Sequence, residues 1–371
     1  MIKLSKPYFS TDAILKVSEI LASGNLVQGE YVLKFEESLK QYLGAGHVIV
    51  VSNGTAALHL SLIALGIGPG DEVIVPAFTF PATANVVELV GARPVFVDIT
   101  TDDFCMDTRQ IEQAVTPRTR AIMPVHEFGQ SAKMDDIMDI ARRHNLLVVE
   151  DAACALGTEF SGKKAGTFGV LGCYSFHPRK AITTGEGGAI ATNDDQLAAK
   201  LRTLRNHGIE VADGKADFIA AGLNYRMTDF QAALGYFQMI EIDQYIRERI
   251  LIANAYSDRL RGISGLKTPA LLHRRKHVYQ TYHVLLDSRF SRDEIKMKLY
   301  EKGIETNFGA NALPLLTFYR EKYQLKFEDF PNSVNSFRQG LALPLSHYIH
   351  ETEINLVCDQ LTSLLVSLWE Q

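Results

Sequence analysis

Between Cys173 and Thr192 the chain reads C-Y-S-F-H-P-R-K-A-I-T-T-G-E-G-G-A-I-A-T. Two short apolar runs, Cys173–Phe176 and Ala189–Thr192, have the look of strands and flank a polar turn that carries one lysine, Lys180. Ser175, His177, Thr183 and Thr184 surround it, and Gly185, Gly187 and Gly188 follow. Glycines in such a place let backbone come close to backbone or to a ligand. A lysine amine held this way can condense with an aldehyde cofactor as a Schiff base and, once released, carry a proton.

The elements that would position this lysine are legible in the hydrophobic pattern. Residues 48–51 form a β-branched strand that runs into Ser52-Asn53-Gly54-Thr55 and then a strongly apolar helix. That sequence of strand, small polar turn and helix aims free N–H groups and a helix dipole at one point, which suits a phosphate. An ordinary capped helix is the competing reading. Further strands fall at 72–75, 94–98, 121–125 and 146–150 with helices between them, and 76–83 (P-A-F-T-F-P-A-T) reads as an aromatic, threonine-rich loop. Apolar strands alternating with helices predict a mainly parallel sheet covered on both faces. Ligands of such sheets sit beyond the carboxyl ends of the strands, where Asp151, residues 52–55 and residues 78–80 all stand.

After Thr192 the pattern predicts a surface helix closed by Gly208, a polar loop over 209–222 and one long helix from Thr228 or Asp229 towards Leu260. An alternating strand over 277–286, a helix over 292–302 and a C-terminal helix over 351–369 complete the chain. The expected fold class is α/β. A large lobe, residues 1–240, holds a mainly parallel mixed sheet flanked by helices, and a smaller α+β lobe spans 241–371. The N-terminal helices, near 11–22 and 30–43, are free in this scheme to pack on the small lobe.

Composition narrows the function classes. With 46% hydrophobic and 22% charged residues and a formal charge of -5, the balance is that of a soluble globular protein and gives no sign of nucleic acid or an acidic membrane as partner. The scattered cysteines Cys105, Cys154, Cys173 and Cys358 form no C-x-x-C pair, which argues against zinc and a disulfide framework. No metal site is expected. The start, M-I-K-L-S-K-P, lacks an apolar signal core and no run reaches membrane-spanning length, so the expectation is a cytoplasmic, soluble protein.

Pyridoxal phosphate (PLP) is the aldehyde cofactor that would need a lysine, an acid at its pyridine nitrogen, a phosphate cup and a flat side chain against the ring. Asp151 supplies the acid, Asn53, Gly54, Thr55 and Ser175 the cup, and Phe80 the flat face. Taken singly, Asp151 reads equally well as a helix cap and Phe80 better as a core aromatic. Their common place at strand ends favours the site.

The ordered strings S-N-G-T-A-A-L-H-L, P-A-F-T-F-P-A-T, E-D-A-A, S-F-H-P-R-K-A-I-T-T-G-E-G-G, L-R-N-H-G and L-N-Y-R-M-T-D-F-Q-A-A resemble the DegT/StrS family of sugar aminotransferases over nearly the whole chain. The resemblance implies the fold type I architecture of aspartate aminotransferases, PLP on Lys180 and Asp151 at the pyridine nitrogen. It also implies a homodimer with shared active sites, in which Asn224 reaches the phosphate of the neighbouring subunit's cofactor. The family's dehydratase branch has a histidine at the lysine position, and Lys180 argues against it.

Two departures stand out. Many relatives carry Gln three residues after the aspartate, near the cofactor's O3′, and His two further on, where this chain has Cys154 and Leu156. A thiol is a weaker hydrogen-bond partner than an amide, which leaves Cys154, His177 or a water for that contact. At 303–314 a His-Tyr-Pro-type stretch is replaced by one containing Phe308-Gly309-Ala310-Asn311, so Phe308 and Asn311 are candidates for the sugar side. Arg226, Arg179, Lys163 and Lys164 are candidate partners for a diphosphate, each equally readable as a solvated surface charge. The implied reaction moves an amino group from L-glutamate to a nucleotide-linked keto sugar, a 6-deoxy-4-keto or 3-keto hexose. A keto-cyclitol acceptor, a non-catalytic cofactor-binding regulator on the same fold and a cofactor-free partner-binding protein are the rival readings.

Overall fold

The computed structural model describes residues 1–347 and 349–369. The chain opens with α1 (Thr11–Ser23), α2 (Glu30–Leu43), β1 (His47–Val51), α3 (Gly54–Ala64), β2 (Glu72–Pro76), β3 (Phe78–Thr79), α4 (Ala82–Leu89) and β4 (Arg93–Val97). It continues through α5 (Thr108–Ala114), β5 (Thr119–Ile122), α6 (Met134–His144), β6 (Leu147–Asp151), β7 (Glu159–Phe160), β8 (Lys163–Lys164), β9 (Leu171–Ser175) and β10 (Gly188–Thr192). Then come α7 (Asp195–Arg205), β11 (Ile209–Ala212), β12 (Lys215–Phe218), α8 (Asp229–Ile240) and α9 (Ile242–Leu260). The remainder holds β13 (Leu266–Lys267), β14 (Arg275–Lys276), β15 (Tyr282–Leu286), α10 (Arg292–Glu301), β16 (Asn311–Ala312), α11 (Thr317–Tyr323), α12 (Pro331–Gln339), β17 (Gly340–Leu343) and α13 (Glu351–Trp369).

Seven strands form one sheet in the order β1-β10-β9-β6-β5-β2-β4. Strand β10 runs antiparallel to both its neighbours; from β9 to β4 every pairing is parallel. This is the mixed, mostly parallel sheet read from the sequence. Alternate residues of β1 point to opposite cores: Val48 and Val50 pack with Phe35, Tyr174 and Ile246, while Ile49 and Val51 pack with Leu58, Leu60 and Leu201. Burial on both faces is why these strands appear as unbroken apolar runs. A second core, built on Tyr256, Tyr282, Leu299, Leu341 and Leu361, belongs to β13-β15-β17 with α9, α10 and α13.

Three local expectations are corrected. The long helix after Thr228 is two helices, because α8 ends at Ile240 and α9 starts at Ile242. The start of α9 shares the core of α8, through Ile242, Tyr245 and Ile246, and its later turns enter the second core through Ala253, Tyr256 and Leu260. Gln238 of α8 hydrogen-bonds Thr183 in both directions, while Arg249 of α9 donates to the carbonyls of Tyr279 and Gln280. The loop over 209–222 contains the hairpin β11–β12, whose Asp213-Gly214 turn takes positive φ at both residues, as a tight hairpin turn requires. The strand over 277–286 is confined to Tyr282–Leu286 and is buried on both faces. Residues 277–281 instead wrap over the 127–129 turn, with Val278 N–H donating to Gly129 O at 3.1 Å and Thr281 N–H to Phe128 O at 3.3 Å.

The N-terminal helices pack on α8, and Phe35 of α2 touches Gly235 so closely that a Cβ there would lie 2.4 Å from the ring. Residues 2–4, ahead of those helices, are what reach the second core: Ile2 pairs with Ile304, and Leu345 N–H donates to Leu4 O. A buried ion pair fixes α2 and α7 against β1. Arg205 Nη1 donates to Glu36 Oε1 (2.7 Å) and to Val50 O (2.6 Å), while Glu36 also accepts from Val50 N–H at 3.0 Å. Removing one member of such a pair strands the other charge away from water. Glu36→Ala is expected to cost about 3–5 kcal/mol in urea-unfolding stability, whereas an exposed pair such as Lys40–Glu37 costs under about 1 kcal/mol on the same substitution.

Candidate active site

The strand register brings the sequence candidates to one edge of the large sheet. Val51 pairs with Gly188, Gly188 with Ser175, and Cys173 with Asp151, so the segments leaving β1, β6 and β9 emerge side by side. Strand β10 enters at the same edge because it runs the other way. Its first residue must be glycine, since a Cβ on Gly188 would stand 2.4 Å from Asn53 O and 2.8 Å from Gly54 N. Gly54 is fitted as tightly, its would-be Cβ lying 2.8 Å from Ser175 Cβ. Asn53 caps α3 by accepting from Ala56 N–H at 2.7 Å, and Thr55 is exposed in the helix's first turn. The result is a narrow cup of helix N–H groups beside the Ser175 hydroxyl, of the kind that accepts a phosphate.

Asp151 ends β6 and is 5% exposed. Its Oδ2 accepts from Thr83 Oγ1 at 2.8 Å and its Oδ1 from Ala153 N–H at 3.1 Å. Thr83 spends its one hydroxyl proton on the carboxylate, so the 3.0 Å contact with Thr79 is a hydrogen bond that Thr79 donates. Burial pushes the Asp151 carboxyl above the ordinary range, against the pull of these donors and of Lys180. Among the described residues it forms no ion pair. An isolated buried carboxylate of this sort is stable chiefly when a cation arrives beside it.

Lys180 follows β9 on a turn where its own N–H donates to His177 O at 2.8 Å. Its Nζ donates to Cys154 Sγ at 2.9 Å. Burial alone would lower the lysine's proton affinity; Cys154, Asp151 and Glu127 outweigh it and leave the amine above the ordinary lysine value. Burial likewise pushes the Cys154 thiol up. His177 lies beside this turn, half-buried and lowered by burial, with Nδ1 accepting from Arg179 N–H.

Phe80 is 69% exposed, which excludes the core-aromatic reading and leaves its ring available. Asn311 lies opposite Thr79, the residue before Phe80, in the pairing of β16 with β3. Phe308 is turned the other way, edge-on to Phe337 with centroids 5.4 Å apart. Asn224 is exposed, on a segment held along β1 by Ser52 N–H donating to Tyr225 O at 2.9 Å. Arg226 beside it is tied to Asn206 Oδ1 at 2.5 Å. Lys164 lies on β8 and is engaged by Glu159 at 2.8 Å, and Lys163 covers the Phe168 ring, so neither stands as a free cation.

Two side chains of this edge escaped the sequence reading. Thr83 lay within a quoted string, yet only its register above Asp151 reveals its part. Glu127 follows β5, one residue after His126, and is 5% exposed. Its signal was available: a charged residue just beyond an apolar parallel strand, the same position as Asp151. The residues present fit PLP. A lysine with a polarised amine, a buried acid lacking a cation, a glycine-lined N–H cup and an open aromatic face are the four supports that cofactor needs.

Comparison with known proteins agrees. The sequence model of the DegT/DnrJ/EryC1/StrS aminotransferase family matches residues 7–362. The chain is 41% identical to the GDP-perosamine synthase of Caulobacter vibrioides over 341 residues, 91% of each protein. It is 34% identical to the UDP-4-amino-4-deoxy-L-arabinose–oxoglutarate aminotransferase of Shewanella sediminis, covering 98% of this chain and 97% of that one. The PMP form of Spr1654 from Streptococcus pneumoniae superposes with a TM-score of 0.94 at 27% identity, over 99% of this chain and 100% of that one.

The cup at Gly188 is open to a direct test. Gly188→Ala is expected to weaken PLP binding at least tenfold in an absorbance titration, and to cost about 1–3 kcal/mol of stability through overpacking.

Proposed function

This chain belongs to the DegT/DnrJ/EryC1/StrS aminotransferase family, and from that premise we propose that it moves an amino group from L-glutamate to the carbonyl of a nucleotide-linked keto sugar. Members of the family use PLP, so the protein is a PLP-dependent sugar aminotransferase. The finer reading, of donor and acceptor, is supported by the relatives' names, one a GDP-sugar and one a UDP-sugar enzyme. A 6-deoxy-4-keto or 3-keto hexose is the acceptor class we favour.

The observation that carries the site assignment is the adjacency of Lys180 and Asp151 at neighbouring strand ends, with the Gly54 cup beside them. Bound PLP supplies an electron sink for the carbanion formed at the donor's Cα. Lys180 would be the base that takes the Cα proton and the acid that gives it back within the same half-reaction, and the acceptor half would run the same transfer in reverse. Asp151 keeps a negative charge where a protonated ring nitrogen would lie, and Thr83 holds that carboxylate in place. The first-turn N–H groups of α3, with Ser175 and Thr55, anchor the phosphate and so fix the register of the whole ligand. Phe80 offers a flat apolar face. Asn311, on β16, is our candidate for reading a sugar hydroxyl.

A homodimer with shared active sites is supported by the exposure of Asn224, on the segment that reaches β1 through Arg226. Among the described residues no helix is long and apolar enough to cross a membrane.

Protein loaded with PLP is expected to absorb in the visible and to lose that band on adding glutamate. A panel of nucleotide-linked keto sugars, with the product identified by mass, then names the acceptor. Lys180→Ala is expected to lack the band and to lose at least about 10²–10⁴-fold in turnover. A wild-type protein that stays colourless with PLP refutes the site assignment; a band indifferent to glutamate refutes the donor.

A further inference from the structure

Thr83 is fully buried in the first turn of α4, and Thr79, on β3, is buried beside it. A threonine at the start of a helix ordinarily turns its hydroxyl to a nearby backbone group. Thr83 has that option, since the Phe80 carbonyl lies 3.2 Å from its Oγ1. A second acceptor is closer. Asp151 Oδ2 stands at 2.8 Å, although it belongs to a strand 68 residues later in the chain.

One hydroxyl carries one proton, so these two acceptors compete for it. The charge of the carboxylate and the shorter distance decide in favour of Asp151. Thr79 reinforces that outcome. Among the described residues its Oγ1 has one hydrogen-bond partner, Thr83 Oγ1 at 3.0 Å, and a hydroxyl that accepts a hydrogen bond donates its own more strongly. The three groups form a chain with one direction, from Thr79 to Thr83 to Asp151.

This chain crosses three elements. Thr79 lies opposite Asn311 in the β3–β16 ribbon, Thr83 lies in α4, and Asp151 ends β6. The contact between the two threonines closes the bend that carries the exposed Phe80, and Thr83 N–H donates to Phe80 O at 3.2 Å. The other carboxylate oxygen, Oδ1, accepts from Ala153 N–H at 3.1 Å. Each oxygen of Asp151 therefore has its own donor, and the plane of the group is fixed.

We propose that Thr83 is a positioning residue for Asp151 and that Thr79 acts on the carboxylate through it, the two forming a hydroxyl relay that keeps the acid ionised and fixed relative to the segment carrying Phe80. The proposal rests on Asp151 being the acid at the cofactor's ring nitrogen. A hydrogen bond to the charged form of a carboxyl favours that form. Burial pushes the Asp151 carboxyl up, and the Thr83 hydroxyl is the strongest of the influences that oppose the rise. The other titratable groups acting on it are Lys180 after β9, Cys173 on β9, His126 and Glu127 after β5, and Cys154 after β6. All of them stay in place when a threonine is replaced, so a difference between variants reports the hydroxyls.

The test is a PLP titration, read by absorbance and repeated across a range of pH, on the wild type and four variants. Thr83→Val keeps the shape and removes the donor. It is expected to weaken PLP binding about tenfold. Asp151 then holds its proton to higher pH, so the low-pH limb of the affinity is expected to move up by about 1 unit. Thr83→Ser keeps the hydroxyl and is expected to stay within about twofold of the wild type, with the limb unmoved. Thr79→Val is expected to act in the same direction by about threefold, and to add nothing in the Thr83→Val background. A Thr83→Val protein whose affinity and limb superimpose on the wild type overturns the proposal. So does a Ser variant displaced as far as the Val variant, which assigns the effect to packing. Losses that multiply in the double variant refute the relay through Thr83. Should Thr83→Val fail to fold, Thr79→Val decides: a raised limb supports the relay and an unmoved one overturns it. An Asp151→Asn protein that binds PLP as tightly as the wild type refutes the assignment of Asp151 instead, which keeps the two failures apart.

Discussion

Taking a carboxylate out of water is expensive unless something offsets the lost hydration, and Asp151 is the place where this molecule accepts that cost. Its partners in the protein are a threonine hydroxyl and one backbone N–H, neither carrying a charge. Much of the surrounding architecture follows from keeping that group rigid. Asp151 N–H is bonded to Pro124 O and its carbonyl to His126 N–H, so β5 and β6 remain locked past the last residue of either strand. The next residue, Ala152, donates to Cys173 O and ties in β9. A ligand with a cationic ring nitrogen returns the missing charge. The site is then most stable when it is filled, as expected of a cofactor that is retained through many turnovers.

The same edge explains the odd direction of β10. A wholly parallel sheet would begin β10 at the far end and leave no glycine turn beside the cup. Running antiparallel, β10 starts where β1 and β9 end, and the 185–188 turn follows directly from the lysine. Lysine, glycine turn and phosphate cup are therefore joined by covalent connection and by register together. That arrangement demands residues without side chains: a Cβ on Gly187 would collide with Thr184 Oγ1 at 2.1 Å, and one on Gly188 with Asn53.

Most of this was legible in the sequence, for identifiable reasons. Strands buried on both faces leave unbroken apolar runs, and the residues at their carboxyl ends can be counted off without coordinates. Lys180, Asp151, Gly54 and Ser175 were found in this way. The errors fall where period and environment disagree. The 209–218 hairpin has nearly every residue exposed, so it shows no alternation, and its one usable signal was the Asp213-Gly214 pair. The 277–281 stretch alternates because it packs against a turn, while its Tyr279 takes a left-handed φ of 48° that no strand permits. Nothing in spacing separates α8 from α9, because the residues on either side of the break at Glu241, Met239 and Ile242, bury in the same core. Thr83 acts on Asp151 from a segment far away in the chain, and no local pattern carries that information.

The rim of the candidate site is held by different elements from its base. The cup and Asp151 are built from large-sheet strand ends, whose positions the sheet's hydrogen bonds dictate. Asn311 is placed by the two-residue pairing of β16 with β3, opposite Thr79. Phe308, three residues earlier, is drawn away to Phe337 and α12. Helix α12 is itself fixed to the large lobe by Asp98, which accepts from the backbone N–H groups of Asn332 and Ser333 at 2.9 and 2.8 Å. A carboxylate at a helix N-terminus satisfies orphan donors and opposes the dipole, so this junction is a firm one. The segment that carries Asn311 is therefore a short ribbon beside a firmly fixed helix. A change at Asn311 would reach Asp151 only through Thr79 and Thr83, whose hydroxyls connect the ribbon to the carboxylate.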